Sequence, residues 1–186
     1  MGGKRATAER RERIWVRVAE LAAEKGGVVR DDPALLAEVT NLVERPTPFV
    51  GRFEERFLGL PAEILVAVMK KHQRYFPVYG SDGRLMPYFI AVRNGDERHI
   101  DIVRDGNEHV IGARFADADF FYSRDSANQL SDFLPRLGTL TFQAKLGSML
   151  DKVRRLEMLA PAVGKMLGLD EGELEAAGPA GVLSKA

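Results

Sequence analysis

The chain has 186 residues, 45% of them apolar and 29% charged, with Lys plus Arg equal to Asp plus Glu at 27 each. This is the composition of an ordinary globular domain, or of one domain and part of a second, long enough to bury a core without staples. Having no cysteine, it cannot form disulfides or thiolate metal sites, and its balanced charge gives no support to strong autonomous RNA binding, which ordinarily needs a basic excess.

Residues 1–8 read as a disordered lead. Met1 to Arg13 is charged and lacks the apolar stretch of a signal peptide, so a cytoplasmic location is the default expectation. No apolar run approaches the length that spans a bilayer, so no membrane contact is expected. From Glu9 the pattern is helical, with Ile14, Val16, Val18, Leu21 and Ala22 mostly on one side and Gly26-Gly27 as the stop. Asp31-Asp32-Pro33 predicts an N-cap with proline in the first turn, opening an amphipathic helix that carries Leu35, Leu36, Val39, Leu42 and Val43. Phe49-Val50 before Gly51 suggests a short strand. Leu60-Pro61-Ala62-Glu63 opens a third helix, with Ile64, Leu65, Val68 and Met69 as its buried side.

Residues 74–79 are rich in aromatic and β-branched side chains and read as a strand, Gly80 to Gly83 as a turn, and Leu85 to Val92 as the second arm of a hairpin. Pro77 and Pro87 each remove a ladder donor, so a bulge, an edge or an interruption is expected there. Residues 107–122 predict a long helix, 127–134 a short one stopped by Pro135, and Leu140-Thr141-Phe142 a link. Lys145 to Leu167 predicts a helix with Leu146, Met149, Leu150, Val153, Leu156 and Leu159 inward, and a further helix begins after Asp170. The fold class is therefore α+β: a small antiparallel hairpin sheet surrounded by helices, followed by an all-helical C-terminal segment.

The common catalytic signatures, among them the phosphate-binding glycine loops, the nucleophile elbow and the His-Glu-x-x-His zinc motif, do not occur. His72, His99 and His109 lack metal-ligand spacing, and no His-Asp dipeptide is present. Lys70, Lys71 and Arg74 gather cations at a helix end, either as capping charges or as contacts to an RNA backbone with Tyr75 or Phe76 as a stacking surface. Asn94-Gly95 suggests a turn that could aim Arg93 at an anion. Arg114 and Asp117 stand one helical turn apart, as an ion pair would, and Phe120-Phe121-Tyr122 reads as packed into a core or against a neighbour. Lys145, Lys152 and Arg155 share one cationic helix side. The candidate RNA-backbone contacts are thus Lys70, Lys71, Arg74 and Arg93, with no catalytic or metal-binding residue assigned.

The ordered series of motifs says more than any one of them. Leu42-Val43-Glu44-Arg45-Pro46, Gly51-Arg52-Phe53, Phe57-Leu58-Gly59-Leu60-Pro61 and His72-Gln73-Arg74-Tyr75-Phe76-Pro77-Val78 come first. Val92-Arg93-Asn94-Gly95, Gly106-Asn107-Glu108, Ala113 to Tyr122 and Phe142-Gln143-Ala144-Lys145-Leu146-Gly147 follow. In this order, over about residues 9–160, the chain resembles the β subunit of the bacterial tetrameric glycyl-tRNA synthetase. One departure is Phe115, where the family's Ala-Arg-Leu-x-Asp-Ala pattern has leucine.

The resemblance implies that the α subunit carries the class II site that uses ATP with Mg and glycine, while the β subunit holds tRNA(Gly). Two α and two β subunits would assemble together. It implies an editing-type domain like that of the larger phenylalanyl-tRNA synthetase subunit over residues 9–137, and the start of a helical HD-like domain over 138–186. This fragment would hold no cofactor and be inactive alone. The competing expectations are an editing-type or HD-type hydrolase domain, and a module that only contacts another subunit.

Overall fold

The computed structural model describes residues 2–186, with side chains from Thr7 onward. The chain divides into two units, Met1–Tyr122 and Ser123–Ala186.

The first unit is built on a four-stranded sheet in the order β1-β3-β4-β2, with every neighbouring pair antiparallel. Its strands are β1 (Val28–Val29), β2 (Pro46–Arg52), β3 (Phe76–Tyr79) and β4 (Leu85–Asn94). Alternation along β4 sends Ile90 to one face and Phe89 and Ala91 to the other, and each face is covered by helices. On the first face lie α1 (Gly2–Glu24) and α2 (Pro33–Leu42). Ile14, Val18, Leu21 and Ala22 of α1 recur at helical spacing and meet Leu35, Leu36 and Val39 over Phe76, Val78 and Ile90. Arg10 Nε reaches the Thr40 carbonyl at 3.0 Å and joins the two helices. On the second face lie a 3₁₀ turn (Glu55–Gly59), α3 (Ala62–Ala67), a π-helical segment (Val68–Gln73) and α4 (Ile100–Ser126). Here Phe115 receives the edges of Phe53 and Phe57 at centroid distances of 4.9 and 5.6 Å.

Several expectations hold because their signals are local. Asp32 caps α2 by accepting the Leu35 N–H at 3.0 Å, with Pro33 in the first turn. Gly26 ends α1 at φ +73°. The β3–β4 hairpin forms, and its register shifts beyond Pro77, where β4 passes Pro87.

Others need correction. The α1 backbone is helical from Gly2, where the sequence reading has a disordered lead; Met1 lies outside the described residues. Val16 and Leu42 are exposed, off the buried stripes of their helices. The third helix widens to π geometry after Ala67, and Ile64 and Val68 are only half-buried. α4 starts at Ile100 rather than near 107, because Gly106 sits in the helix with open space around it instead of breaking it.

The outer side of β2 has few donors. The ladder pairs Thr47 with Arg93, Phe49 with Ala91 and Gly51 with Phe89, so residues 46, 48, 50 and 52 face away from β4. Pro46 and Pro48 have no N–H, and the Arg52 N–H donates to Glu108 Oε1 at 2.9 Å.

In the second unit, a 3₁₀ segment (Leu130–Thr139) contains Pro135 rather than stopping before it. Thr141–Gln143 is not a mere link: as β5 it pairs antiparallel with β6 (Gly147–Ser148). Ser148 and Asp151 then form a reciprocal capping box that opens α5 (Met149–Leu167). The Ser148 N–H and hydroxyl both donate to Asp151, which holds that carboxyl below the usual carboxylate range. Asp170 and Glu173 cap α6 (Glu171–Leu183) in the same way. The two helices approach closely at Gly181, where a Cβ would sit 2.9 Å from the Leu156 carbonyl oxygen. Val153 is buried, whereas Leu146 and Leu159, expected to face inward, are exposed.

Candidate functional site

The residues that carry the sequence motifs meet one another across the second face of the sheet. Tyr75 stacks on Phe89 with 4.4 Å between centroids and 13° between planes. Its hydroxyl donates to Asn107 Oδ1, while Asn107 Nδ2 donates to the Val103 carbonyl at 2.6 Å. Glu108, the next residue on α4, takes the Arg52 N–H. Gly51 lies under the Phe89 ring, so that a Cβ there would come within 2.8 Å of three ring carbons. The His-Gln-Arg-Tyr, Gly-Arg-Phe and Gly-Asn-Glu stretches are therefore one packed seam between α4 and the sheet.

Beside this seam lies a cleft of about 250 Å³, lined by Val39, Leu42 and Val43 of α2 and its end, by Gln73 and Arg74, and by Val92 and Arg93. Two of the four candidate contacts, Arg74 and Arg93, come together here. Arg74 sits at the end of the π segment with φ +55°, a left-handed backbone unusual for a side chain of this size. The Arg74 N–H donates to the Lys70 carbonyl and the Tyr75 N–H to the Met69 carbonyl, which holds the turn. Arg74 Nε pairs with Glu38 Oε1 at 2.7 Å. Arg93 Nη1 donates to the Arg98 carbonyl at 2.5 Å, so the Asn-Gly turn folds Arg93 back along its own loop. Asn94 accepts from the N–H groups of Glu44 and Arg45 and closes the entry to β2.

The other two candidates lie outside that cleft. Lys70 Nζ pairs with Asp32 Oδ2 at 2.8 Å. The Leu35 N–H and then this lysine hold the Asp32 carboxyl below its usual range. Lys71 is exposed and has no ion pair among the described residues. The expected Arg114–Asp117 pair does not form among the described residues. Lys152 lies over the Phe142 ring at 4.1 Å, so the cationic side of α5 is partly spent on packing.

A second groove of about 700 Å³ follows the outer side of β2 between α1 and α4, with Arg17, Lys25, Arg52 and Arg104 facing Glu24, Asp101 and Asp105. Arg104 Nε is buried there without a hydrogen-bond partner. The 250 Å³ cleft itself offers guanidinium, amide and phenol groups. Burial pushes the Tyr75 phenol up to about 12, so it stays protonated near neutrality and cannot act as a base there. Among the described residues no three His, Asp or Glu side chains stand close enough to hold a metal, and no helix is long and apolar enough to cross a membrane.

Sequence reasoning missed Leu42 as a cleft wall and Asn107 as the partner of Tyr75. Each depends on which neighbour the fold brings near, and no local pattern records that.

The family model described as glycyl-tRNA synthetase beta subunit matches residues 5–186. The chain belongs to that family. It is 49% identical over 178 residues to the glycine–tRNA ligase β subunit of Desulforudis audaxviator, covering 96% of this chain and 26% of the relative. The protein of the same name from Syntrophomonas wolfei is 46% identical over 166 residues, covering 89% and 24%. That from Halalkalibacterium halodurans is 44% identical over 168 residues, covering 90% and 24%. The chain thus spans about a quarter of the length of these β subunits.

Proposed function

We propose that this chain is the part of a glycine–tRNA ligase β subunit that supports and positions tRNA(Gly), while the α subunit carries out ATP-dependent aminoacylation with Mg. The observation that carries this reading is family membership combined with the build of the first unit. The sheet is clamped on both faces by helices, and its two cores share the strands. A frame of this kind can hold a substrate's reactive end to within the narrow tolerance that aminoacyl transfer needs. Lys70, Arg74 and Arg93 are braced by Asp32, Glu38 and the Arg98 carbonyl, and braced cations can meet an RNA backbone without further ordering. The enzyme would work in the cytoplasm as two α and two β subunits, with no cofactor in this segment.

The test is filter binding of tRNA(Gly) to the complete synthetase with Lys70, Lys71, Arg74 and Arg93 all changed to Ala. Affinity should fall, and the slope of log K against log salt should flatten by roughly 0.7–0.9 for each phosphate that is no longer neutralised. Unchanged affinity and slope would reject these residues.

A second reading has its own observation. Phe120, Phe121 and Tyr122 are 58%, 60% and 39% exposed, where the sequence suggested packing into a core or against a neighbour. Consecutive positions on a helix point about 100° apart, so these rings leave α4 in three directions. A helix segment apolar all round is ordinarily enclosed. This favours a docking role for the α4 end toward another part of the synthetase. Mixing the chain separately with α subunit and with tRNA tells the two roles apart.

A further inference from the structure

We propose that the cleft between Leu42 and the Arg74–Arg93 pair binds one unpaired nucleotide of the tRNA, its base against the apolar wall and its phosphate at the two guanidiniums. This rests on the tRNA-supporting role above and gives it a place.

The wall comes first. Leu42 is the last residue of α2 and is 60% exposed, while Leu35, Leu36 and Val39 of the same helix are buried. Val39, Val43 and Val92 belong to or pack against the first core and floor the cleft, so Leu42 is the apolar side chain that the cleft leaves open to a ligand. The cleft, at about 250 Å³, is smaller than the roughly 300–1,000 Å³ of drug-sized ligand sites, which suits a single flat ring system rather than a longer ligand. Unpaired bases are the part of an RNA that can enter such a surface, because in a duplex both base faces are already stacked.

The charges come second. Glu38 holds Arg74 by Nε, and the Arg98 carbonyl holds Arg93 by Nη1. Among the described residues neither Nη2 has a hydrogen-bond partner. A guanidinium pinned along one edge has its plane fixed and its remaining donors aimed, which is the arrangement that grips phosphate. The left-handed backbone at Arg74 costs energy and persists because the end of the π segment over-determines it. The Gln73 amide also lines the cleft and has no partner among the described residues, so it is free to bond a base edge. A carboxylate from a partner protein would satisfy the arginines but leave the wall bare. A duplex backbone would engage the arginines but could not reach the wall.

The experiment uses the complete synthetase and a glycine-accepting tRNA transcript. Three enzymes are compared: wild type, Leu42→Asp, and Arg74→Gln with Arg93→Gln. Melting curves verify folding, and Leu42→Asp alters only an exposed position. Base-specific chemical probing should show one unpaired nucleotide protected by the wild type and unprotected with either variant. Leu42→Asp should weaken tRNA binding about tenfold, the order expected from losing one leucine's apolar contact with the base. The double variant should lower the salt slope by about one. If tRNA crosslinks to the first unit but every protection is the same in all three enzymes, the cleft is wrong and the supporting role stands. If no crosslink falls anywhere on this segment, both are wrong. If the variants loosen α–β assembly and leave tRNA protection intact, the occupant is protein and the proposal is overturned.

Discussion

Tyr75 joins β3, β4 and α4 through a single side chain, stacking on Phe89 and bonding Asn107. Burial raises its phenol from the ordinary 10.0 to about 12. An acid whose pKa rises on folding is favoured neutral in the folded protein. Its contribution is therefore complete below pH 10 and is withdrawn as the pH climbs from 10 toward 12. Tyr75→Phe removes the hydroxyl and leaves Asn107 Oδ1 unpaired, at a cost of about 1–2 kcal/mol near neutral pH. It should also abolish this alkaline loss, read from urea unfolding at a series of pH values. A variant that still weakens like the wild type between pH 10 and 12 would clear the phenol of responsibility. Asp32 is legible in the sequence, because a cap acts on a residue three positions away. The Tyr75–Asn107 bond spans 32 positions, and nothing at either end announces it. Arg74 stands out in the sequence for its charge but not for its left-handed backbone, since that place usually goes to glycine or asparagine.

β2 and β4 owe their close fit to Gly51, which lets the Phe89 ring lie over the strand. Phe89 is fully buried and held by Tyr75, so the ring has nowhere to move. Gly51→Ala should cost about 1–3 kcal/mol by overpacking, seen as a lower denaturant midpoint. An unchanged midpoint would mean the ring shifts freely. The hairpin and its irregularity at the prolines can be read ahead, because alternation and a missing donor are properties of the strand itself. The length of α4 cannot. Gly106 looks like a break, yet the helix carries Ile111 and Phe115 into the core and that packing outweighs about 1 kcal/mol per glycine. The inward side of α5 is misread from the sequence for a related reason. Its Leu159 lies on an apolar side that no element among the described residues covers.

Charges on the full chain cancel, at 27 of each sign, so long-range attraction to RNA is not its strength and local geometry must supply any grip. Its exposed apolar side chains are the larger feature. Phe120→Ser with Phe121→Ser should leave the melting temperature of the chain nearly unchanged, since neither ring contributes to either core of the first unit. It should reduce self-association in sedimentation and, in the complete synthetase, weaken the joining of parts. A large fall in melting temperature would show that these rings are structural after all.

The proline-bearing border of the sheet has a different effect on assembly. Along β2, a newcomer strand would find one usable amide, at Val50, with a pyrrolidine ring at each earlier outward position. Growth of the sheet in that direction is opposed by chemistry rather than by bulk. Whatever joins this flank in a longer subunit has to rely mainly on side chains, and two copies of the chain find few donors with which to zip together there.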